Sequence, residues 1–369
     1  MSRYFYYFVL INMVANIIAS VPSILLRHYN EGSVSAMVLA TITGTLIIAV
    51  YAKFFIQFPG MTLPDLLKKT TAKWFYVPLI LIMTVVWFIA GMITLITFTF
   101  LLIRYLTPEM PIILISLSII LSVILGCLIK TDRVLYTVEI IMLITFPLII
   151  YIFFKASTDA NINWNFIKEA TLYINQMPNL ESFTSSFYLF LGVGNLFIFN
   201  RFFNIKQKFG WKQIISIFFI TILTLFTTYF IPIGFHGTSE IESLVYPWLQ
   251  TSDSLRMKYS LIERVLFVFL LFYLCIAFLS ILIHWHVAVE YLKYLFTFEK
   301  IKVKGVNIGI LIPPAIFTVI STYFVQALNE SQLFRFSSIF YMILAGFFPC
   351  MILVFFYIKR RMKYAENTK

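Results

Sequence analysis

Three polar side chains recur at every fourth position in the first apolar stretch of the chain: Asn12, Asn16 and Ser20. This spacing places them along one face of a helix. Carboxamides in an apolar segment are costly unless they face other protein groups or a water-filled cavity. The stripe therefore indicates either hydrogen bonding between helices or one wall of a pathway for a ligand or ion, and the residues alone leave both interpretations open.

A helix interruption is predicted in the same stretch. Pro22 removes one backbone hydrogen bond and frees a carbonyl one turn earlier, and proline is also favoured in the first turn of a new helix. A break would offer free amides to an anionic group and free carbonyls to a cation. The substrate-binding residues predicted here are Asn12, Asn16, Ile17, Ile18 and Ser20.

A second cluster of small and polar residues lies near position 190, within another apolar run. Two glycines at this place weaken a helix and let another group approach the backbone. Close packing of helices through small residues is the alternative interpretation. The substrate-binding residues predicted in this cluster are Tyr188, Gly192, Gly194 and Asn195.

The composition indicates the kind of protein that must position these residues. The 369 residues are 61% hydrophobic and only 12% charged, with a mean hydropathy of +0.92. A soluble domain of this size would carry about twice that charged fraction. We therefore predict an all-α membrane protein, with residues 1–369 forming a single polytopic membrane domain, because its apolar runs are continuous rather than alternating.

Ten transmembrane helices are predicted from runs of about 20 apolar residues. They lie near 5–26, 35–56, 74–103, 112–129, 136–154, 182–200, 212–232, 260–283, 305–325 and 335–358. Basic residues predict their orientation: with both termini in the cytoplasm, the inner side holds 20 of the 28 lysines and arginines and 6 of the 16 acids. The resulting inner charge of +14 against −2 outside follows the positive-inside rule.

The ten spans divide into a five-plus-five inverted repeat, about 5–154 and about 182–358. The first half starts inside and the second starts outside, so the halves have opposite topology. The interrupted segments are the first helix of each half. Broken first and sixth helices at corresponding positions indicate a transporter-type binding site at the midplane.

Other functional classes are disfavoured by the motifs. The sequence has no phosphate-binding Walker loop, and Gly192-Val-Gly194 lacks the third glycine and preceding strand of a dinucleotide fingerprint. His284 and His286 point to different sides of a helix and cannot share a metal. We therefore expect no enzyme activity, no cofactor and no metal. The net charge of +12 is accounted for by the inner loops, so no nucleic-acid partner is expected.

Three further features have two interpretations each. Tyr246-Pro247-Trp248 in an outer loop is typical of an anchor at the membrane surface, or alternatively of a lid or partner contact. Glu263-Arg264 is an interfacial anchor or a charged pair that locks the outer loop. Glu139 is expected to form a structural ion pair near Arg133, with proton relay as the less favoured role.

Taken together, the chain resembles the B subunit of the nutrient germinant receptors of spore-forming bacteria, the spore germination permease family. The residues that carry the resemblance are Phe58-Pro59-Gly60-Met61-Thr62-Leu63 after the second span, Gly192, Tyr246-Pro247-Trp248 and Ile262-Glu263-Arg264. That family is similar to the amino acid–polyamine–cation permeases. The resemblance implies the five-plus-five repeat, a small nutrient germinant such as an amino acid, and association with A and C subunits in the inner spore membrane.

The chain departs from the permease pattern at two places. Ala15-Asn16-Ile17-Ile18 stands where permeases commonly have a glycine pair, and the fifth span has no lysine at its middle. Both departures favour ligand sensing over ion-coupled transport. The leading hypothesis is a transporter-like receptor subunit that binds a germinant and triggers germination. Its rivals are a secondary transporter of amino acids or related solutes, and an assembly subunit with a vestigial pocket.

Overall fold

The computed structural model describes residues 2–18, 20–203, 208–257, 263–296, 298, 302–303, 306–307 and 309–367. Its helices are α1 (Arg3–Asn16), α2 (Ser20–Arg27), α3 (Ser33–Ile56), α4 (Leu63–Thr70), α5 (Lys73–Tyr105), α6 (Ile112–Cys127), α7 (Thr131–Ser157), α8 (Trp164–Thr171), α9 (Leu180–Tyr188), α10 (Leu196–Phe199), α11 (Trp211–His236), α12 (Pro247–Ser254), α13 (Val265–Leu295), α14 (Ile312–Ala327) and α15 (Glu330–Asn367).

Short 3₁₀ turns and one hairpin complete the described structure. The 3₁₀ segments are Leu172–Asn175, Leu189–Asn195, Asn200–Phe202, Ile241–Ser243 and Gly309–Leu311. Two strands of two residues each, β1 (Lys302–Val303) and β2 (Val306–Asn307), pair antiparallel. Within the described residues, the apolar runs are therefore helical, as predicted. The predicted loop residues Lys206, Lys258, Lys300 and Lys304, and Ile262 of the predicted eighth span, lie outside the described residues.

Eight helical segments of the described chain are long and apolar enough to cross a membrane. Helices α1 and α2 are bent by 57° relative to each other, and if the pair forms one span it is the ninth. The predicted fourth span corresponds to α6, which has only 16 residues. At 1.5 Å per residue α6 is about 24 Å long, short of a hydrocarbon core of about 30 Å. The prediction of ten spans therefore remains a prediction.

The long helices form a buried centre and a lipid-facing periphery. The segment Leu180–Phe202 is the most enclosed, with 94% of its apolar window buried, against 28% for α7 and for the segment that contains α14. Peripheral helices expose large aliphatic side chains, for example Leu121, Ile144, Leu223 and Val319. This distribution is what a multi-pass membrane protein requires, because lipid tails solvate such side chains without cost.

The two predicted irregular segments take different forms. Helix α1 ends at Asn16 and α2 begins at Ser20, with Pro22 in its first turn, so the first helix is interrupted where the sequence predicted it. The sixth segment instead stays helical and changes to 3₁₀ geometry from Leu189 to Asn195. Two glycines loosen this segment without producing a gap, because close neighbours on every side hold it in place.

The eighth helix, α13, is longer than predicted. It continues to Leu295 rather than ending near 283, so Glu290 belongs to the helix. Helix α13 packs along α5, where a Cβ added to Gly91 would lie 2.5 Å from the indole ring of Trp285. The absence of a side chain at Gly91 thus lets these two central helices approach closely.

Candidate functional site

The first and sixth segments meet through Asn12. Its side-chain amide donates to the backbone carbonyls of Tyr188, at 2.8 Å, and Leu189, at 3.2 Å. These are the carbonyls where α9 passes into 3₁₀ geometry, so the carboxamide satisfies acceptors that the change of helix type leaves available. A Cβ added to Gly192 would collide with the Phe8 carbonyl oxygen and lie 2.7 Å from Asn12 Cβ. The two segments are therefore in backbone contact.

Other residues of the polar stripe are engaged elsewhere. Asn16 donates its side-chain amide to the Asn12 carbonyl oxygen, 2.7 Å away within the same helix. The Ser20 hydroxyl lies 2.6 Å from the Tyr341 hydroxyl. The stripe is thus divided by the helix interruption between Asn16 and Ser20. Gly192 packs against Phe8 and Asn12 and does not face Asn16.

A small cavity lies at the centre of the bundle, where the two irregular segments meet α5, α13 and α15. It has a volume of about 20 Å³ and is lined by Asn12, Val86, Trp87, Ala90, Tyr188, Leu191, Asn195, His284, Leu344 and Phe348. Such a volume holds about one water molecule. Three of the predicted site residues, Asn12, Tyr188 and Asn195, therefore share one cavity.

Of the remaining predicted residues, Ile17 and Ile18 lie at a second cavity, Gly192 and Gly194 pack against residues of the first, and Asn16 and Ser20 line neither. Ile17 and Ile18 line an apolar space of about 10 Å³ together with Trp248. Gly194 faces the rings of Trp87 and Phe348, since a Cβ there would lie 2.9 Å from each. Gly192 and Gly194 thus permit close packing around the cavity.

Two cavity residues with hydrogen-bonding side chains, Trp87 and His284, were not among the site residues predicted from the sequence. The indole N–H of Trp87 donates to Asn195 Oδ1 at 2.8 Å, which leaves the Asn195 amide N–H groups available as donors. Nδ1 of His284 lies 2.6 Å from the Ser280 carbonyl oxygen. Because a carbonyl can only accept, Nδ1 carries the proton, and Nε2 of the neutral ring is an acceptor. The intramembrane position of His284 was the available signal; Trp87 in an apolar run gave none.

The cavity has polar groups but no formal charge. No aspartate, glutamate, lysine or arginine lines it. Within the described chain, no three histidine, cysteine, aspartate or glutamate residues are placed to share a metal ion. The arrangement offers amide and imidazole hydrogen bonds between apolar walls. It can therefore recognise a small molecule whose charges, if any, balance within the molecule.

The segment 58–63 forms a turn that contacts the end of the sixth segment. Pro59 and Gly60, whose φ of 75° suits the third position of a type II turn, bring the Met61 N–H to the Phe58 carbonyl at 3.3 Å. Asn200 donates to the carbonyls of both Phe58 and Met61, at 2.8 Å each. The end of the sixth segment thereby holds this turn.

An ionic network lies beside that turn. Arg201 pairs with Glu290 and also donates to the Thr131 hydroxyl at 2.6 Å. Lys293 contacts the other carboxylate oxygen of Glu290 at 2.8 Å, and His286 Nε2 lies 2.9 Å from Thr131. The network joins the end of the sixth segment to α13 and to the start of α7. His284 and His286 have separate partners, in agreement with their predicted divergence.

Several sequence interpretations need correction or refinement. Glu139 pairs with Arg3 at 2.8 Å and accepts from the Tyr4 hydroxyl at 2.7 Å, so its partner is not Arg133. The rings of Tyr246 and Trp248 are fully buried, which is incompatible with anchoring at the membrane surface.

The segment that contains these rings, predicted as part of an outer loop, packs into the bundle instead. Trp248 stacks on Phe269, with ring centres 6.2 Å apart, and meets Phe153 edge-on at 5.1 Å. Arg264 lies 4.0 Å from Asp253, an exposed pair of little energetic weight. The loop is therefore fixed mainly by aromatic packing, with the charged pair at its edge.

These features define a multi-pass integral membrane protein with a small, uncharged polar cavity between irregular helices. A family model described as spore germination protein matches residues 6–324. The chain belongs to this spore germination family, which confirms the resemblance drawn from the motifs. Comparison with curated proteins gave no match.

Proposed function

We propose that this protein is a transporter-like subunit of a spore germinant receptor, which binds a small nutrient such as an amino acid and triggers germination. The central cavity carries the proposal. It brings Asn12, Asn195 and His284 from three different elements around one small space. Family membership supplies the link to germination.

The ligand class follows from the lining groups. Nε2 of His284 can accept from an ammonium group, and the free amide N–H groups of Asn195 can donate to a carboxylate. No full charge of either sign opposes a zwitterion in the cavity. Neutral α-amino acids with small apolar side chains match this combination of dipoles and apolar walls better than sugars or ions.

Ligand binding must enlarge the site. A cavity of about 20 Å³ is far below the 300 Å³ or more of ordinary ligand pockets. The described arrangement is therefore an occluded one, and a ligand stabilises a more open arrangement by its differential affinity. Such a shift in the helix bundle is a means by which binding can trigger germination in associated subunits.

The remaining parts of the proposal concern architecture and setting. We propose ten spans, in which the bent pair α1–α2 and the short α6 each count as one, arranged as inverted repeats over about 5–154 and 182–358. Both termini are cytoplasmic, the membrane is the inner spore membrane, and A and C subunits are the partners. The protein has no enzymatic role and needs no cofactor.

Thermal unfolding of the purified protein in lipid nanodiscs, with a panel of amino acids, tests the proposal. A germinant should raise the melting temperature of the parent protein, and His284→Phe and Asn195→Leu should weaken its apparent affinity by about tenfold or more, since each removes a hydrogen-bonding group. Thr228→Val is the matched control, because it removes a buried hydroxyl in α11 that has no partner and does not line the cavity. Absence of any stabilising amino acid would favour an assembly subunit with a vestigial pocket.

Replacement of sodium by choline separates a receptor from a secondary transporter. No carboxylate lines the cavity, and the Ala15 carbonyl near the helix interruption already accepts from the Tyr273 hydroxyl at 3.1 Å. The binding midpoint should therefore shift by less than about threefold, or about 0.65 kcal/mol, at constant ionic strength and pH. A shift of tenfold or more that is lost on mutation of α13 would support ion-coupled transport.

A further inference from the structure

A second, larger cavity lies at the edge of the bundle, between the start of α5 and the last third of α15. Its volume is about 420 Å³, and it is lined by Thr71, Ala72, Trp74, Phe75, Leu353, Val354 and Tyr357. Trp74 is 79% exposed although it is the largest side chain present. The cavity is open and mostly apolar, and it has no part in the central site.

A basic compartment continues this cavity towards the end of α15. It encloses about 280 Å³ and is lined by Tyr357, Arg360, Arg361 and Tyr364. Tyr357 belongs to both spaces, and its hydroxyl accepts from Arg361 Nε at 3.1 Å. The two spaces therefore adjoin at Tyr357, and together they are called the groove below, with an apolar end and a basic end.

The charge around the groove is strongly positive. Residues 63–75 and 351–364 contain seven lysines and arginines but one acid, Asp65. The Asp65 carboxylate accepts hydrogen bonds from the Thr62 hydroxyl at 2.6 Å and from the Tyr294 hydroxyl at 3.3 Å, and neither partner lines the groove. Within the described part of the chain, no carboxylate forms an ion pair with Arg360 or Arg361.

We propose that this groove binds an acidic phospholipid, with an acyl chain in the apolar cavity and the phosphate on Arg360 and Arg361. Leu353 precedes Arg360 by seven residues, which is about 10 Å along a helix, so the apolar cavity lies one to two turns deeper in the bilayer than the guanidinium groups. A phospholipid has the same order of parts along the membrane normal. Tryptophan and tyrosine at the boundary are typical of the headgroup level, and basic pockets between helices select acidic lipids.

The test measures lipid retention and thermal stabilisation of the full-length protein. Phosphatidylglycerol should remain bound in native mass spectrometry and should raise the melting temperature more than phosphatidylcholine does. The double variant R360Q/R361Q should weaken phosphatidylglycerol binding by about tenfold or more. Leu353→Trp, which fills the apolar end, should reduce the binding of both long-chain lipids but leave the preference for the acidic headgroup.

The matched control is K130Q/K212Q, which removes two exposed positive charges away from the groove and should leave phosphatidylglycerol binding unchanged. Equal weakening in the control would show unspecific attraction and overturn the proposal. Unchanged binding in R360Q/R361Q would also overturn it. A third outcome is that neither the parent protein nor any variant retains lipid, while copurified receptor subunits crosslink to Trp74. The groove would then be a protein contact, and the proposal would fail.

Discussion

At the scale of single residues, two features hold the irregular sixth segment in place: the missing side chain of Gly192 and the hydrogen bonds that its backbone accepts from Asn12. Gly192 provides the space in which the Phe8 carbonyl and Asn12 lie against the backbone, and Asn12 then satisfies two carbonyls of that segment. The Gly192 position thus favours packing over direct ligand contact. In the proposed site, the polar surface for a ligand comes from Asn195 and His284.

Gly192→Ala should lower the free energy of unfolding by about 1–3 kcal/mol, because the added methyl group overpacks a rigid backbone contact. Urea or thermal unfolding in detergent measures it. Gly346→Ala in α15 is the control, since a Cβ there meets no atom within 4 Å, and alanine should be neutral or slightly stabilising in that helix. Gly192→Leu should reduce the amount of folded protein. Equal stability of the two alanine variants would contradict the packing role.

At the scale of elements, polar contacts join the end of the sixth segment to the turn after α3 and to α13, which are distant from it in sequence. Asn200 holds the turn at Phe58–Met61, and Arg201 beside it reaches Glu290 on α13. The same sixth segment lines the central cavity through Asn195, so under the proposed function a change at the ligand site would act on these contacts. The end of the segment is held by hydrogen bonds and ion pairs, which can exchange with water when they open.

Asn200→Asp should release the turn. The carboxylate cannot donate to the carbonyls of Phe58 and Met61, and two hydrogen bonds are replaced by repulsion, at a cost of about 2 kcal/mol or more. Hydrogen exchange of the backbone amides of residues 58–63 should accelerate by about tenfold or more. Asn165→Asp, an exposed position on α8, is the control and should leave exchange in 58–63 unchanged. Slow exchange in Asn200→Asp would mean that other contacts hold the turn.

At the scale of the whole molecule, the distribution of charge and the lengths of the helices set its place in the membrane. The ends rich in lysine and arginine include the turn after α3, the end of α13 and the end of α15. The buried aromatic loop 246–248 and the exposed helix α8 lie at the ends with fewer basic residues. The positive-inside rule assigns the first set to the cytoplasm.

Cysteine labelling with a membrane-impermeant maleimide tests this orientation. In a background with Cys127, Cys275 and Cys350 replaced by alanine, Asn165→Cys should react in intact cells, because 155–181 is predicted to be outside. Lys363→Cys, also exposed, should react only after permeabilisation. The reverse pattern would invert the topology, and it would move the proposed lipid groove to the outer leaflet.

The sequence by itself determined the class of protein, the positions of its long helices, the interruption before Pro22 and the family. These follow from local patterns, namely apolar length, proline geometry and short motifs, which need no knowledge of neighbours. Only the tertiary structure decided which polar residues meet. Asn12 and Asn195 line one cavity while Asn16 bonds within its own helix, Glu139 reaches Arg3, and the rings of Tyr246 and Trp248 are buried. Apart from the Asn16 bond, these contacts join residues distant along the chain, and their geometry arises from helix packing, which no local pattern specifies.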